Sequence, residues 1–332
     1  MSVKKSVLQF LEEKKGTPVS GNEIAQALSV SRAAVWKAVH SLMDDGYPIT
    51  SVTKKGYILD SASDMLSEQS IRPFLNDSSF YPEIQVHKVL ESTNKTAKEL
   101  ANAGAPGGTV VIAEQQSGGR GRLGRSFCSP PGAGVYISIL LRPSDSVETS
   151  MLVTSAAAVA VSRAIQKTCG LETQIKWVND VYLDGKKLCG ILTEASMNFE
   201  NGALDYLVAG IGINLSSKDF PPELREIATS LKDHLGAGTP SRSCLAGAVL
   251  NEFQSVVNDL HEKSFLEEYR KRSFILGSEI NIISPSGTTE RARAIDINEH
   301  GHLIVELTDG TQKALNSGEV SIRKILDGAS EK

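Results

Sequence analysis

The residues best suited to chemistry lie in one short run, Gly119-Arg120-Gly121-Arg122-Leu123-Gly124-Arg125. Three guanidinium groups within six residues offer planar forks of N–H donors that match phosphate or carboxylate oxygens. The interleaved glycines let the backbone approach a ligand closely. The run follows a strand-like segment, Thr109–Ala113, so it reads as an anion cradle. A solubilising loop is the plain alternative. The glycines speak against it, because they commit the loop to a special backbone shape. No Gly-Lys-Ser/Thr follows, so this is not a P-loop, and phosphate recognition would fall to side chains.

Four further segments carry polar groups at the ends of apolar runs. In Glu91-Ser92-Thr93-Asn94 the hydroxyls and amide either cap a helix or hydrogen-bond an uncharged polar ligand. Lys176-Trp177-Val178-Asn179-Asp180 sets a cation, an amide and a carboxylate beside an indole, a set suited to phosphate and a divalent metal, although Asp180 alone could simply open a turn. Lys186-Lys187-Leu188-Cys189-Gly190-Ile191-Leu192 brings a lysine into an apolar strand, and a lysine aimed into a site neutralises carboxylate and phosphate together. Ala209-Gly210-Ile211-Gly212-Ile213-Asn214 leaves one strand face bare, for a flat organic ligand or for a closely packed helix.

The elements that must position these groups alternate. Strands are expected at Ile84–Leu90, Thr109–Ala113, Val135–Leu141, Gln174–Trp177, Val181–Leu183, Cys189–Glu194 and Tyr206–Ile213, and helices at Thr93–Ala103, Ser150–Cys169 and Arg242–Leu260. Asp184-Gly185 signals a hairpin, so the sheet is mixed and the fold class α+β. After Leu276-Gly277, short alternating segments at about ten-residue spacing predict a small barrel, closed by Gly318–Arg323.

Residues 1–60 hold eight Lys/Arg and six Asp/Glu, a charge of +2 within a chain of net charge −4. Ser2 is placed to cap a first helix, Ser20 with Glu23 forms a capping box for a second, and Ser31 precedes a third whose apolar face is Val35, Val39, Leu42 and Met43. Helix, tight turn, helix followed by a basic-tipped hairpin (Lys54, Lys55) is the winged helix-turn-helix pattern. Ser31, Arg32, Ala33 and Lys37 are the candidate DNA contacts. Trp36 is either a core residue or a contact, and its large apolar area favours the core. Residues 61–80 read as a polar linker with one short helix.

The whole chain has an ordinary globular composition, with 40% hydrophobic and 22% charged residues. Its length of 332 residues allows two or three domains. It carries no apolar run long enough to span a membrane. Four scattered cysteines without a CxxC pair argue against a zinc site or a disulfide framework and for a reducing cytoplasm.

Taken in order, Ser-Thr-Asn, Gly-Arg-Gly-Arg-x-Gly-Arg, Lys-Trp-x-Asn-Asp, Lys-Leu-x-Gly-Ile-Leu and Gly-x-Gly-Ile-Asn, behind a winged helix, resemble the bifunctional biotin protein ligase and biotin operon repressor family. The resemblance spans the whole chain and implies a winged helix at 1–62, a linker at 63–82, a catalytic domain at 83–272 like the class II synthetases, and an SH3-like barrel at 273–326. It implies a two-step reaction. Biotin and MgATP give biotinyl-5′-adenylate, and a lysine of a biotin carboxyl carrier protein then takes the biotinyl group. It also implies an adenylate-bound homodimer that represses transcription from operator DNA.

By the same resemblance, Lys187 and Arg122 are catalytic. Ser92, Thr93, Asn94, Gln116, Arg120, Gly121, Arg122, Lys187, Gly210 and Gly212 meet biotin. Arg122, Arg125, Phe127, Lys176, Asn179, Asn214 and Arg323 meet ATP, with Asp180 on Mg²⁺. Two positions depart from the family pattern. Val178 stands where proline is usual, and Phe127 where tryptophan is common. If adenine stacks there, Phe127 offers a smaller platform. A ligand sensor without turnover, a lipoate ligase, and a ligase without DNA binding are the rival readings. The arginine loop and the intact head favour the bifunctional one.

Overall fold

Serines open the first three helices of the computed structural model, which describes residues 2–143, 147–197, 203–283, 288–316 and 319–322. The Ser2, Ser20 and Ser31 hydroxyls accept the main-chain N–H groups of Lys5, Glu23 and Ala34 at 3.4, 3.1 and 3.2 Å. They cap α1 (Val3–Glu13), α2 (Gly21–Ala27) and α3 (Arg32–Asp44), satisfying N–H groups that a helix start leaves orphaned. Val7, Leu11, Ile24, Val35, Val39, Leu42 and Leu59 form one buried core. Burying each such side chain contributes about 1.5–3 kcal/mol.

The wing is β1 (Ile49–Val52) paired with β2 (Gly56–Leu59). A Cβ on Gly56 would stand 2.1 Å from Val19 O, so only glycine lets the wing close against the head. Lys54 and Lys55 lie exposed at its tip. Trp36 is not in the core: it is 56% exposed. Val35, Ala38, Val39 and Leu42 take the inward stripe of α3. A helix turns about 100° per residue, which puts Trp36 outside, stacked on His40 at 4.0 Å between ring centroids.

Seven strands form the central sheet, in the order β3-β4-β5-β9-β8-β7-β6. They are β3 (Ile84–Leu90), β4 (Val110–Gln116), β5 (Gly134–Leu141), β6 (Gln174–Lys176), β7 (Asp180–Leu183), β8 (Lys186–Met197) and β9 (Leu204–Asn214). Only β3 and β4 pair in parallel. All other neighbours are antiparallel, so the sheet is mixed, as expected. Asp184 and Gly185, with φ 48° and 75°, make the predicted hairpin turn. One face packs on the helices Val153–Cys169 and Arg242–Asn258. The other carries the helix Thr93–Asn102 over Val111, Leu140 and Val208. The helix expected from Ser150 is broken at Leu152 into Val147–Met151 and Val153–Cys169.

The segment read as linker is packed in place. Leu66, Ser70 and Ile71 are buried, and Arg242 binds Asp64 on one side and Glu114 on the other. That buried cation explains why a polar stretch is ordered.

The C-terminal strands are β10 (Glu279–Ile283), β11 (Thr289–Ile297), β12 (Leu303–Leu307), β13 (Gln312–Leu315) and β14 (Glu319–Ile322). They form an antiparallel sheet in the order β13-β12-β11-β10-β14. Among the described residues no pair joins β13 to β14, so the sheet is open where a closed barrel is expected. A bulge between Ala294 and Asp296 leaves Ile295 and Asp296 both outward, Ile295 at 38% exposure, and returns Ile297 to the core. No helix among the described residues is long and apolar enough to cross a membrane.

Candidate active site

A cavity of about 160 Å³ gathers nearly all the polar segments on the exposed side of the sheet. Ser92, Thr93, Asn94 and Gln116 form one wall; Arg120, Gly121, Arg122, Arg125 and Phe127 form the other. Lys176, Asn179, Asp180, Lys187, Gly210 and Gly212 also line it, with Val320 reaching in from the C-terminal sheet. The strands are longer than expected: β4 runs through Gln116 and β8 starts at Lys186. Gln116 and Lys187 are therefore held by the sheet and not by loops.

Lys187 owes its aim to a bulge. The β7–β8 register shifts between Val181 and Tyr182, so that Tyr182 pairs with Lys187 and Val181 with Cys189. Bulges re-aim side chains in this way. The lysine stem lies across Gly190, where a Cβ would meet its Cε and Nζ at 3.2 Å, and Nζ meets Asp180 Oδ1 at 2.7 Å. That carboxylate oxygen is buried and has no other partner.

The uncharged wall is tightly bonded. Thr93 N–H donates to Gln116 Oε1 at 2.9 Å, and Gln116 Nε2 donates to Ser129 Oγ at 2.9 Å. Asn94 Nδ2 donates to Leu192 O at 3.1 Å and to Glu194 at 2.8 Å. Ser138 Oγ lies 2.7 Å from Thr93 Oγ1 and 2.6 Å from Asn94 Oδ1. Burial pushes the Glu194 carboxyl up, but hydrogen bonds from Lys98 and Asn94, with the charges of Lys98 and Arg120, outweigh it and hold it below the usual carboxylate range. Ser92 caps the following helix through no side-chain bond, so the capping reading of this segment does not hold for its hydroxyl.

The glycines of β9 do not leave bare space. A Cβ on Gly210 would stand 2.2 Å from Asn94 Oδ1, and one on Gly212 would stand 2.6 Å from the Phe127 ring. Their smallness admits these two side chains into the cavity. Phe127 thus lies over Gly212 and the neighbouring Gly190, edge-on to Tyr136.

The arginine loop folds back on itself through an Arg120–Ser126 bridge. Leu123 and Gly124 take positive φ, 55° and 76°. Arg122 donates to Asn179 Oδ1 at 3.1 Å, and Arg120 meets Glu91 at 3.2 Å. Behind the loop lies a wider cleft of about 990 Å³ that reaches Met151 and His300–His302, so the loop partitions two spaces. Trp177 anchors the C-terminal sheet: its indole N–H donates to Gly301 O at 3.0 Å. The Trp177–Val178 peptide bond is cis.

One predicted residue lies elsewhere. Asn214 is buried and its amide donates to Thr229 O at 3.1 Å, so it ties the strand ends together and does not line the cavity. Arg323 lies outside the described residues. The sequence reading missed Ser138 and Glu194. Ser138 is the one serine within the otherwise apolar and aromatic run Val135–Leu141, a signal that was legible. No three His, Cys, Asp or Glu side chains converge among the described residues.

A family model described as the biotin/lipoate A/B protein ligase family matches residues 86–214. Models of an HTH domain and of the biotin protein ligase C-terminal domain match 3–58 and 275–323. The bifunctional ligase/repressor BirA of Bacillus subtilis (strain 168) is 36% identical over 316 residues, covering 94% of this chain and 96% of that protein. The chain belongs to the bifunctional biotin ligase/repressor family. The member from Escherichia coli (strain K12) is 29% identical over 92% of each protein. Among solved structures, the biotin protein ligase from Aquifex aeolicus in complex with biotin and ATP superposes with a TM-score of 0.62 at 27% identity, over 73% of this chain and 99% of that one.

Proposed function

We propose that this chain activates biotin with ATP as biotinyl-5′-adenylate, transfers the biotinyl group to a lysine of a carrier domain, and represses transcription through its winged helix. The observation that carries the reading is the position of Lys187. Its ammonium sits in the cavity between an uncharged hydrogen-bonding wall and an arginine loop. Biotin has those two ends: a neutral ring urea and a carboxylate.

The ring lies against Ser92, Thr93, Asn94, Gln116, Gly210 and Gly212. The carboxylate faces Lys187, which lowers the repulsion as that group approaches the α-phosphate. Arg120, Gly121 and Arg122 close over the adenylate, and Arg125, Phe127, Lys176 and Asn179 serve the nucleotide. Mg²⁺ accompanying ATP would need one or two protein carboxylates. The buried, otherwise unpartnered Asp180 Oδ1 fits that need, and the metal would neutralise phosphate charge there. The ligase unit is read as class II synthetase-like, the C-terminal sheet as an SH3-like barrel, and the boundaries as 1–62, 63–82, 83–272 and 273–326. Adenylate orders the arginine loop and favours a homodimer that sets two winged helices on a two-fold operator. Operator DNA meets Ser31, Arg32, Ala33, Lys37, Lys54 and Lys55.

Pyrophosphate release from MgATP tests the first step. Release is expected with biotin and absent without it. Equal release with lipoate would move the chain to lipoate ligation, and none with either acid would contradict the proposal.

A further inference from the structure

The turn at residues 177–180 is held from behind by a residue that lines neither cavity. Tyr269 is fully buried, and its hydroxyl donates to Val178 O at 2.9 Å. It comes from the helix Phe265–Arg272, which buries Phe265, Leu266 and Tyr269, the spacing of one helical face. Half-buried ion pairs fix the outer side of that helix: Glu268 meets Arg163 and Arg272, each at 2.8 Å. The Ser155 hydroxyl in turn hydrogen-bonds the Tyr269 oxygen. A carbonyl oxygen gives no hydrogen, so the single phenol hydrogen goes to Val178 O. That oxygen belongs to the planar peptide unit that begins Asn179, so holding it sets the course of the chain into Asn179 and Asp180. Asn179 Nδ2 donates to Ile191 O at 2.8 Å, which turns its Oδ1 to Arg122. Asp180 follows and pairs with Lys187. Residue 178 is also where this chain carries valine in place of the usual proline. Proline restrains its own backbone through its ring; valine does not, and an outside anchor takes over.

We propose that Tyr269 is a positioning residue for adenylate formation. From outside the cavity its hydroxyl holds the turn that presents Asn179 to the arginine loop and Asp180 to Lys187. It touches no substrate and acts through the Val178 carbonyl. Its effect falls on the nucleotide, because Arg122, Asn179 and Asp180 are the groups that serve ATP and its metal, and it leaves the uncharged wall in place. The inference rests on the proposal that this site joins biotin to ATP.

The test is steady-state pyrophosphate release by the full chain, beside calorimetry with biotin. Tyr269→Phe keeps the ring and removes the hydroxyl. The KM for MgATP should rise and kcat should fall, together lowering kcat/KM about tenfold, while the Kd for biotin is unchanged. Val178→Pro in the same chain puts the restraint back into the backbone, so the double variant should recover most of the loss. An unchanged kcat/KM in Tyr269→Phe overturns the inference. So does a biotin Kd weakened by the same factor, which is general loosening of the core. A double variant as slow as Tyr269→Phe alone overturns it too, because the hydroxyl would then not act through residue 178. Should Tyr269→Phe fail to fold, Ser155→Ala removes the hydroxyl that supports Tyr269; there kcat/KM should fall about threefold with biotin binding kept, and an unchanged value overturns the inference. A wild type that releases no pyrophosphate from MgATP with biotin would overturn the underlying ligand assignment instead.

Discussion

The two walls of the cavity are built in opposite ways. Thr93, Asn94 and Ser138 are each at most 4% exposed, and their side chains are locked by bonds of 2.6–3.1 Å. Across the cavity, Arg120 reaches an exposed Glu91, Arg122 donates one bond to Asn179, and Leu123 is 68% exposed. A buried, saturated network is costly to rearrange; exposed ion pairs hold little. The contrast teaches that recognition and retention are separated in space. The rigid wall is suited to choosing the ligand and the loose wall to closing over what has been made from it.

The sharpest way to test that division is to remove the residue between the walls. Lys187→Ala should slow adenylate formation by about 10²–10³ while weakening biotin binding only about tenfold, read by pyrophosphate release beside calorimetry. Breaking the rigid wall should do the reverse. Gly210→Ala places a methyl where Asn94 Oδ1 now lies, and biotin affinity should fall about a hundredfold. Breaking the loose wall should leave affinity alone. Arg122→Gly should still make adenylate but release it about tenfold faster, measured as free adenylate by chromatography. If it weakened biotin as much as Gly210→Ala does, the division would be wrong.

The head gives a smaller effect. Trp36→Ala should lower affinity for DNA duplexes selected by the wild-type protein about tenfold without changing ligation. Equal DNA binding would place Trp36 outside the interface. The smallest effect concerns pH. The Glu194 carboxyl is held low in the folded state, so the unfolded chain takes up its proton first. The stability it contributes is complete above the ordinary glutamate value, declines as pH falls below it, and is gone below the depressed one. Glu194→Gln should flatten that part of a stability–pH curve; an unaltered curve would remove the carboxylate from the account.

Much of this site is legible in the sequence because its groups stand at the ends of apolar runs. The Gly/Ile alternation in 209–214 and the Asp184-Gly185 turn are local signals, and they suffice to mark a strand and a hairpin. What was not legible came from long-range pairing. The β7–β8 bulge that aims Lys187, the occupation of the glycine space by Asn94 and Phe127, and the clamp of Arg242 on Asp64 and Glu114 depend on partners that local patterning does not name. Trp36 was misplaced for a local reason: residue size outweighed helical phase in the reading, and in α3 phase decides.

The central claim is ligation, and one measurement addresses it directly. The full chain is incubated with MgATP, biotin and a biotin carboxyl carrier domain, and the carrier is weighed intact by mass spectrometry. The account predicts a gain of one biotinyl group on one lysine, absent when lipoate replaces biotin or when the acceptor lysine is changed to arginine. A carrier of unchanged mass, with the ligase folded and biotin bound, would contradict it.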